Sequence, residues 1–365
     1  MADDAEDEIV DDFDGTEEAV PSSFTITSYG ADYPVDGLVK RIRQGDIVIP
    51  IFDSEPVEGQ SAVGFQREYV WRKPQADRFV ESLLLGLPVP GIFLVKEANG
   101  KHLVLDGHQR LKTLEGFYRE LFQREEFALA NVQETWKGKT YSTLNADDRR
   151  RLDDSIIHAT IVRQDEPSED LSSIYLIFER LNSGGTFLQP QEIRVALYHG
   201  PFAVLLGKLN KNVAWRELYG RRSPRLKDLE LILRFFGLYF RSAQYKRPMK
   251  DFLNKFMAYN RDLTKHPEAE LTKLFETAVD QIFQHLGRAA FRPQRSVNAA
   301  VLDAVMVGVA RRLSKGPILS QDLKAAYDQL MASEEFQRRT SRATADEESV
   351  RERLKMAEGA FLAVP

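Results

Sequence analysis

The stretch LVLDGHQRLKTL, residues Leu103 to Leu114, predicts a strand, a tight turn and a helix in direct succession. The apolar run at its start has the composition of a short buried strand, and Asp106-Gly107 ends that strand. Beyond the turn, leucines recur at helical spacing. Gly107 permits a positive φ or the close approach of a ligand, and the free N–H groups at the start of the following helix favour an anion.

The polar residues of this turn give it a chemistry. Arg110 lies in the first helical turn, where its guanidinium can offer a forked donor to phosphate. His108 shares the turn with Asp106 and can act as a general base or donate to phosphate. A glycine turn with a surface arginine is also a common structural device, so phosphate binding and a purely structural role both stay open.

Composition limits the class of protein. A chain of 365 residues with 43% hydrophobic content can bury a sizeable core and suggests two domains. No apolar run approaches the roughly 18 residues needed to span a bilayer, so we expect a soluble, cytoplasmic protein with no membrane partner. The sequence has no cysteine, which excludes disulfides, thiol nucleophiles and cysteine-ligated zinc.

Charge is distributed unevenly along the chain. Residues 1–20 hold ten acidic residues and no Lys or Arg, so the remainder carries +5 against an overall charge of −5. We predict an acidic, disordered tail over residues 1–30. The tail either competes for a basic, nucleic-acid-facing groove or only aids solubility.

Residues 31–200 read as a mixed α+β domain. Its predicted elements, in chain order, are a helix from a capping Asp36 through Arg43, a strand Ile47–Ile49, a helix opened by Pro74, a hairpin of Ile92–Lys96 and His102–Leu105, a strand Glu126–Asn131, a helix Ala146–Asp154 capped by Asn145, a strand Ile156–Arg163, a helix capped by Ser168, and a helix opened by Pro190.

After residue 200 the strand signal disappears, and we predict an all-helical domain over residues 201–365. The predicted helices are Leu226–Phe240, Pro267–Leu286, Val297–Leu313, Ser320–Met331 and Ala345–Leu362, the last capped by Thr344. Basic clusters lie at residues 221–225, 246–247 and 338–342. Either they converge into a phosphate-contact stripe or they only solvate their helices.

Two further segments carry groups that suit ligands. Phe65–Trp71, FQREYVW, combines aromatic rings with an arginine, which can hold a base or a sugar-phosphate or can simply pack a sheet edge. Glu179–Thr186, ERLNSGGT, can ligate hydrated Mg²⁺, complete a phosphate pocket, or serve as an ordinary helix end.

Several pieces in order resemble the N-terminal domain of GmrSD-type modification-dependent restriction proteins, a branch related to the ParB/sulfiredoxin fold. The resemblance runs from about Leu38 to Phe202. The signature of the family is DGQQR, and this chain has DGHQR, with His108 in place of the first Gln. The matching pieces are GDIVIP at 45–50, FQREYVW at 65–71, SLLLGLPVP at 82–90, DGHQRLKTL at 106–114, FERLNSGGT at 178–186 and QEIR at 191–194.

The resemblance implies binding and hydrolysis of a nucleoside triphosphate (NTP) with Mg²⁺ or Mn²⁺, in restriction of or defence against foreign, often modified, DNA. It implies a catalytic set of Asp106, His108, Gln109 and Arg110, in which Asp106 and Gln109 orient water or metal. Nucleotide-binding residues would be Gln66, Arg67, Gly107, Lys112, Thr113, Arg180, Ser183 and Gly184. DNA-binding residues would be Tyr69, Trp71, Arg221, Arg222 and Arg225, and the metal ligands Glu179 and Asn182.

The enzyme hypothesis is an NTPase that senses DNA and licenses a nuclease. Residues 200–365 contain no HNH-type nuclease motif, so a partner subunit cleaves, or the family fold nicks DNA itself, or the protein regulates without cutting. The alternative is a non-catalytic DNA-binding or regulatory subunit that recruits a partner nuclease. A homo-oligomer is compatible with either hypothesis.

Overall fold

The computed structural model describes residues 25–49, 69, 71–166, 171–181 and 189–363. The described residues fall into two compact units, one within Ser22–Leu188 and one within Gln189–Pro365. The acidic tail up to residue 24 and the proposed Ser168 cap lie outside the described residues.

The first unit alternates strands and helices along the chain. Its elements are β1 Thr25–Pro34, α1 Val35–Gln44, β2 Ile47–Val48, α2 Lys73–Leu84, β3 Ile92–Lys96, β4 His102–Asp106, α3 His108–Tyr118, β5 Leu121–Phe122, β6 Glu125–Glu126, α4 Ala146–Asp154, β7 Ile156–Glu166 and α5 Ser172–Leu181.

Five of these strands form one mixed sheet in the order β1-β7-β3-β4-β2. The pairs β1–β7 and β3–β4 are antiparallel, whereas β3–β7 and β2–β4 are parallel. The two short strands β5 and β6 form a separate hairpin after α3. The order places β4, which leads into the Asp106-Gly107 turn, inside the sheet between β3 and β2.

The sheet is covered on both faces, because its central strands bury side chains on alternate sides. Leu94, Val104 and Ile161 belong to the main hydrophobic core, together with the buried faces of α1, α2 and α3. Val95 and Leu105 are equally buried but lie outside that cluster. Helix α5, which contacts β4 and β7, covers this second face. The start of α3 is therefore anchored by a strand that is buried on both sides.

The sequence patterns around the turn are confirmed. The antiparallel hairpin of β3 and β4 and the helix α3 lie where the spacing predicts them, and Gly107 has φ 100°. Gly45 ends α1 in the left-handed conformation. Asn145 caps α4 by accepting from the Asp148 N–H at 2.8 Å.

Three local predictions in the first unit are wrong. Residues 25–30, assigned to the acidic tail, form part of β1, a mostly exposed strand held by backbone pairing to β7. Asp36 does not cap α1, because it lies inside the first turn and its carboxylate accepts from the next N–H. Residues 127–131 are not a strand. Instead, the buried Asp77 carboxylate accepts from Ala130 N at 3.1 Å and Asn131 N at 3.0 Å.

The second unit is helical throughout its described residues. Its α-helices are α6 Pro190–Leu197, α7 Pro201–Leu209, α8 Val213–Tyr219, α9 Lys227–Arg241, α10 Met249–Tyr259, α11 Glu268–Leu286, α12 Ala299–Leu313, α13 Ser320–Ala332, α14 Glu334–Ser341 and α15 Glu347–Leu362. Short 3-10 helices occupy Ser242–Gln244 and Arg288–Phe291. The mixed class with a helical C-terminal region is confirmed. The predicted Thr344 cap is wrong, because Asp346 holds the N-cap position of α15.

No helix within the described ranges combines the length and the apolar character needed to cross a membrane.

Candidate functional site

The turn between β4 and α3 requires glycine on two grounds. Gly107 has φ 100°, a conformation that other residues rarely adopt. A Cβ atom at this position would lie 2.5 Å from Cγ2 of Ile92 on the neighbouring strand. The backbone of the turn therefore packs directly on β3. The glycine is explained by geometry whether or not a ligand binds.

Arg110 and Asp106 lock this turn. The Arg110 Nη2 donates to Asp106 Oδ2 at 2.6 Å, and Nη1 donates to the carbonyl of Pro90 at 3.0 Å. The arginine side chain is 12% exposed and the aspartate side chain 48%. The guanidinium thus joins the end of β4 to the segment that leads into β3, and it leaves the carboxylate nearly half accessible to solvent. We call this pair, with Gly107, the Asp106–Arg110 turn.

The two middle residues of the motif begin α3. His108 is its first residue and is half-buried. Gln109 uses its side-chain oxygen to accept from the backbone N–H of Trp71 at 3.2 Å. Gln109 therefore fixes the segment before α2 against α3, a structural contact that the sequence motif did not indicate.

Lys112 and Thr113 lie elsewhere on α3. Arg110 and Lys112 are two positions apart, so their side chains leave a helix on opposite sides. The Thr113 hydroxyl hydrogen-bonds to the Tyr69 hydroxyl at 2.7 Å. Both Lys112 and Thr113 line a cavity of about 360 Å³, in which Tyr69 also takes part. The residues predicted to bind one nucleotide are thus divided between a turn and a cavity.

Tyr69 and Trp71 pack into the first unit. Both are partly buried against its hydrophobic core. The Tyr69 ring lies 5.4 Å from that of Phe122, and the Trp71 ring 5.5 Å from that of Phe79, both edge to face. Burial raises the pKa of the Tyr69 hydroxyl to about 12, although its bond to Thr113 opposes the shift. This packing supplies a structural role for residues that the sequence suggested as DNA contacts.

The second predicted loop is described only in part. Glu179 and Arg180 lie in the last turn of α5, the helix that packs against β4 and β7. Asn182, Ser183 and Gly184 lie outside the described residues, as do Gln66 and Arg67 of the FQR segment. Across the described ranges there is no group of three or more His, Asp or Glu side chains that could hold a metal ion.

Ion pairs engage residues of all three basic clusters in the helical unit, including Arg247, whose Nη1 lies 2.6 Å from Asp346 Oδ1. Arg225 Nη1 lies 3.1 Å from Glu192 Oε2. Arg339 pairs with Glu335 and Glu348 at 2.7 Å and 2.8 Å. Arg221 and Arg222 are exposed. Arg225, one of the three arginines proposed to contact DNA, is therefore paired with a carboxylate of the helical unit.

Sequence reasoning missed the residues that build the cavity wall. Lys73 pairs with Asp77, donates to the Ala128 carbonyl at 2.5 Å, and lies 4.6 Å from the centroid of the Phe127 ring. Phe122 and Phe127 pack edge to face, with ring centroids 5.1 Å apart. The only signal in the sequence was a Lys–Asp pair at helical i,i+4 spacing, which is usually a surface feature.

A known family matches most of the first unit and the start of the second. Residues 35–199 match the family model of the GmrSD restriction endonuclease, N-terminal domain. The matched segment begins with α1, contains the Asp106–Arg110 turn and ends shortly after α6. No curated protein matches the chain.

Proposed function

We propose, on the premise that residues 35–199 form a GmrSD-type restriction protein N-terminal domain, that this chain is the DNA-sensing, NTP-hydrolysing component of a restriction or anti-phage defence system. The phosphates of the NTP would bind at the start of α3, beside the Asp106–Arg110 turn. DNA, in modified form or not, would be the macromolecular partner. A separate nuclease subunit would carry out the cleavage.

One observation carries the proposal, namely the geometry of the turn. Gly107 brings bare backbone to the N-terminus of α3, where the first N–H groups have no acceptor within the helix and the helix dipole favours an anion. Asp106 stands beside these donors with its side chain 48% exposed. The N–H groups that can donate to a phosphate thus lie next to the Asp106 carboxylate, which can orient a water molecule.

Arg110 has a positioning role in this proposal. Its two outer nitrogens are engaged by Asp106 and the Pro90 carbonyl, so it sets the carboxylate relative to the start of α3. Gln109 also has a positioning role, because its side-chain oxygen accepts from the Trp71 N–H and so holds the start of α3 against that backbone. His108 is the first residue of α3 and follows Gly107 directly. Its imidazole could take a proton from water.

A divalent cation would come with the nucleotide. Mg²⁺ is usually held by one or two carboxylates together with substrate phosphates and water, so it does not require a cage of three protein ligands. Glu179 at the end of α5 is the described candidate for such a ligand. The ion would neutralise phosphate charge, whereas Asp106 and the α3 N–H groups orient the reacting atoms.

We infer the relationship to the ParB/sulfiredoxin fold from similar grounds. A mixed sheet whose inner strand β4 delivers an Asp-Gly turn to the N-terminus of a helix supports it. The DGHQR spelling of the turn supports it as well, since it lies between the DGQQR of GmrSD-type proteins and the DGHHR-like form of ParB-like proteins.

The test measures phosphate release from ATP, GTP, CTP and UTP with Mg²⁺, with and without DNA. Asp106→Asn and Arg110→Ala are each expected to lower turnover by about a hundredfold or more. Arg150→Ala is the matched control, because Arg150 is an exposed arginine on α4. Circular dichroism and thermal melting establish that each variant is folded.

Turnover that persists in both variants would exclude the turn as the catalytic centre. No turnover with any nucleotide, together with DNA affinity that falls steeply with salt, would favour the non-catalytic DNA-binding subunit instead. Turnover by wild type that DNA stimulates would support the sensing role directly.

A further inference from the structure

A cavity of about 360 Å³ lies beside α3, on a different side of the helix from Arg110. Its volume lies within the range of small-molecule sites, roughly 300–1,000 Å³. Its lining is contributed by α3, by the β5–β6 hairpin and by the segment before α2. The lining residues are Tyr69, Lys112, Thr113, Glu115, Gly116, Arg119, Leu121, Phe122, Gln123 and Phe127.

One of the lining residues, Lys112, carries a buried ammonium group without a hydrogen-bond partner among the described residues. The Lys112 Nζ is buried and makes no hydrogen bond in the part of the chain that the structure describes. Burial lowers the pKa of Lys112 to about 8, although the nearby Glu115 carboxylate opposes the shift. Glu115 is itself shared with Arg119, whose Nη1 lies 3.4 Å from its Oε1. A buried cation without a partner is costly, and an anion bound beside it would remove that cost.

Part of the cavity lining is aromatic, and its rings are held in place by contacts within the protein. The Tyr69 and Phe122 rings pack edge to face with centroids 5.4 Å apart. The Tyr69 hydroxyl is tied to Thr113 at 2.7 Å. Lys73 lies over the Phe122 ring at 5.7 Å. These contacts hold the rings without a ligand, so binding a flat molecule would require little reorganisation.

Gly116 allows α3 and the β5–β6 hairpin to approach each other closely. A Cβ atom on Gly116 would lie 2.8 Å from the Leu121 carbonyl oxygen. The β5–β6 hairpin therefore packs directly on the backbone of α3. Among the lining residues, Arg119 is half exposed and Leu121 is 44% exposed, so an exposed cation also belongs to this lining.

We propose that this cavity is a binding site, separate from the Asp106–Arg110 turn, for a small molecule that joins a flat ring to an anionic group. The anion would lie against Lys112 and the ring against Tyr69 and Phe122. Arg110 cannot hold the same anionic group, because positions i and i+2 of a helix face opposite sides. The inference does not rest on NTP hydrolysis.

The test measures binding of four probes to the full chain by isothermal titration calorimetry. Cytidine monophosphate and benzoate each combine a ring with an anion, cytidine has the ring alone, and inorganic phosphate has the anion alone. Cytidine monophosphate or benzoate is expected to bind at least about tenfold more tightly than either partial probe. Binding of none of the four, or equal binding of inorganic phosphate, would overturn the proposal.

Variants assign the binding to the cavity. Lys112→Met is expected to weaken binding by about thirtyfold or more. Lys101→Met, at an exposed lysine before β4, and Arg110→Met are expected to change it by less than about twofold. Equal binding by Lys112→Met, or loss of binding in Arg110→Met, would contradict a separate site. Loss of NTP turnover in Arg110→Met with probe binding intact would separate the two sites.

A second measurement uses the unmodified protein. Reductive methylation followed by mass spectrometry reports how fast Lys112 reacts, and a bound anion is expected to slow that reaction while Lys101 reacts as before. If Lys112 is methylated equally fast with and without saturating probe, the proposal is wrong, whether or not the variants fold.

Discussion

Two buried cationic regions of this molecule are built in opposite ways. In the helical unit, the Asp303 carboxylate accepts from Arg234 Nη2 at 2.7 Å and from Arg353 Nη2 at 2.9 Å. The side chains of Asp303 and Arg353 are 0% exposed and that of Arg234 is 6% exposed. Beside α3, the buried Lys112 ammonium has no acceptor among the described residues. One region neutralises part of its buried charge with a carboxylate, whereas the other leaves its charge without a partner.

The two regions differ in what their buried charges do. Asp303 joins three helices, α9, α12 and α15, so its charges are used to fix the packing of the bundle. Lys112 hydrogen-bonds to none of the described residues, and burying its ammonium without an acceptor is costly. Asp106 and Arg110 lie between the two extremes, since they are paired but the carboxylate is 48% exposed. Breaking a paired cluster should therefore lower stability, and removing the unpaired cation should raise it.

The largest effect is expected from Asp303→Asn. The substitution preserves shape but removes the charge between Arg234 and Arg353, so two buried guanidinium groups lose their counterion. We expect the free energy of unfolding to fall by about 3 to 5 kcal/mol. Urea denaturation followed by circular dichroism measures it.

The matched control is Asp328→Asn. Asp328 pairs with Lys324 on α13, but both side chains are more than half exposed, at 55% and 52%. Exposed pairs contribute at most about 1 kcal/mol. A loss at Asp303 no larger than at Asp328 would show that the buried cluster does not stabilise the bundle, and the contrast with Lys112 would fail.

Much of the local fold could be predicted from the sequence. Most of the helices and the β3–β4 hairpin follow from apolar spacing and from turn residues, which are short-range signals. Helices α7, α8, α10 and α14 were not predicted. Strand β1 could not be predicted, because most of its residues are exposed and it is held by contacts distant in sequence, namely backbone pairing with β7 and the side-chain bonds Thr27–Asp165 and Asp32–His158. The order of strands in the sheet depends on contacts distant in sequence, for which no local pattern exists.

The candidate site was only half predictable. The glycine turn and the Asp106–Arg110 pair lie within one motif, so the sequence displays them together. The cavity draws Tyr69 and Phe127 from either side of α3 in the chain, and its aromatic wall is positioned by Lys73. One signal was present and overlooked, since the spacing of Arg110 and Lys112 already places them on opposite sides of a helix.

The second prediction concerns Lys112→Met, which removes the unpaired cation and leaves an apolar side chain of similar length. We expect the free energy of unfolding at pH 7 to rise by about 2 to 3 kcal/mol, since the pKa of Lys112 lies well below the usual value for lysine. Lys101→Met, at an exposed position, should change it by less than about 0.5 kcal/mol. Destabilisation by Lys112→Met would mean that the ammonium has a partner in solution.

The third prediction is the pH dependence of that gain. The pKa of Lys112 is about 8 in the folded protein against 10.5 for an ordinary lysine, so the unfolded chain binds more protons between these values. The stability of the wild type therefore rises relative to Lys112→Met as pH increases from 8 to 10.5. The advantage of the variant should be complete below pH 8 and should shrink by about 1 kcal/mol per pH unit above it.

Denaturation of both proteins at pH 7, 8, 9 and 10 measures this difference. Tyr69, with a pKa near 12, does not titrate in this range, and the charged neighbours Glu115 and Arg119 are present in both proteins. Because these groups are common to both proteins, their contributions cancel. A constant difference across the range would show that the Lys112 ammonium is not desolvated.

The smallest expected effect on stability is that of Arg110→Lys, at the paired but partly exposed turn. Lysine can reach one of the two acceptors, Asp106 or the Pro90 carbonyl, but cannot bridge them as the guanidinium does. We expect a loss of about 1 kcal/mol in the free energy of unfolding. Arg150→Lys, at an exposed site on α4, should lose almost nothing.

Turnover distinguishes positioning from mere stabilisation in this variant. If Arg110 sets the orientation of Asp106, then kcat for NTP hydrolysis should fall in Arg110→Lys while KM changes little, because the α3 N–H groups that receive the phosphates are retained. A rise in KM with unchanged kcat would instead identify Arg110 as a direct phosphate ligand. The pair would then have to open on binding, and the Asp106–Arg110 turn would resemble Lys112 in reserving a cation for a ligand.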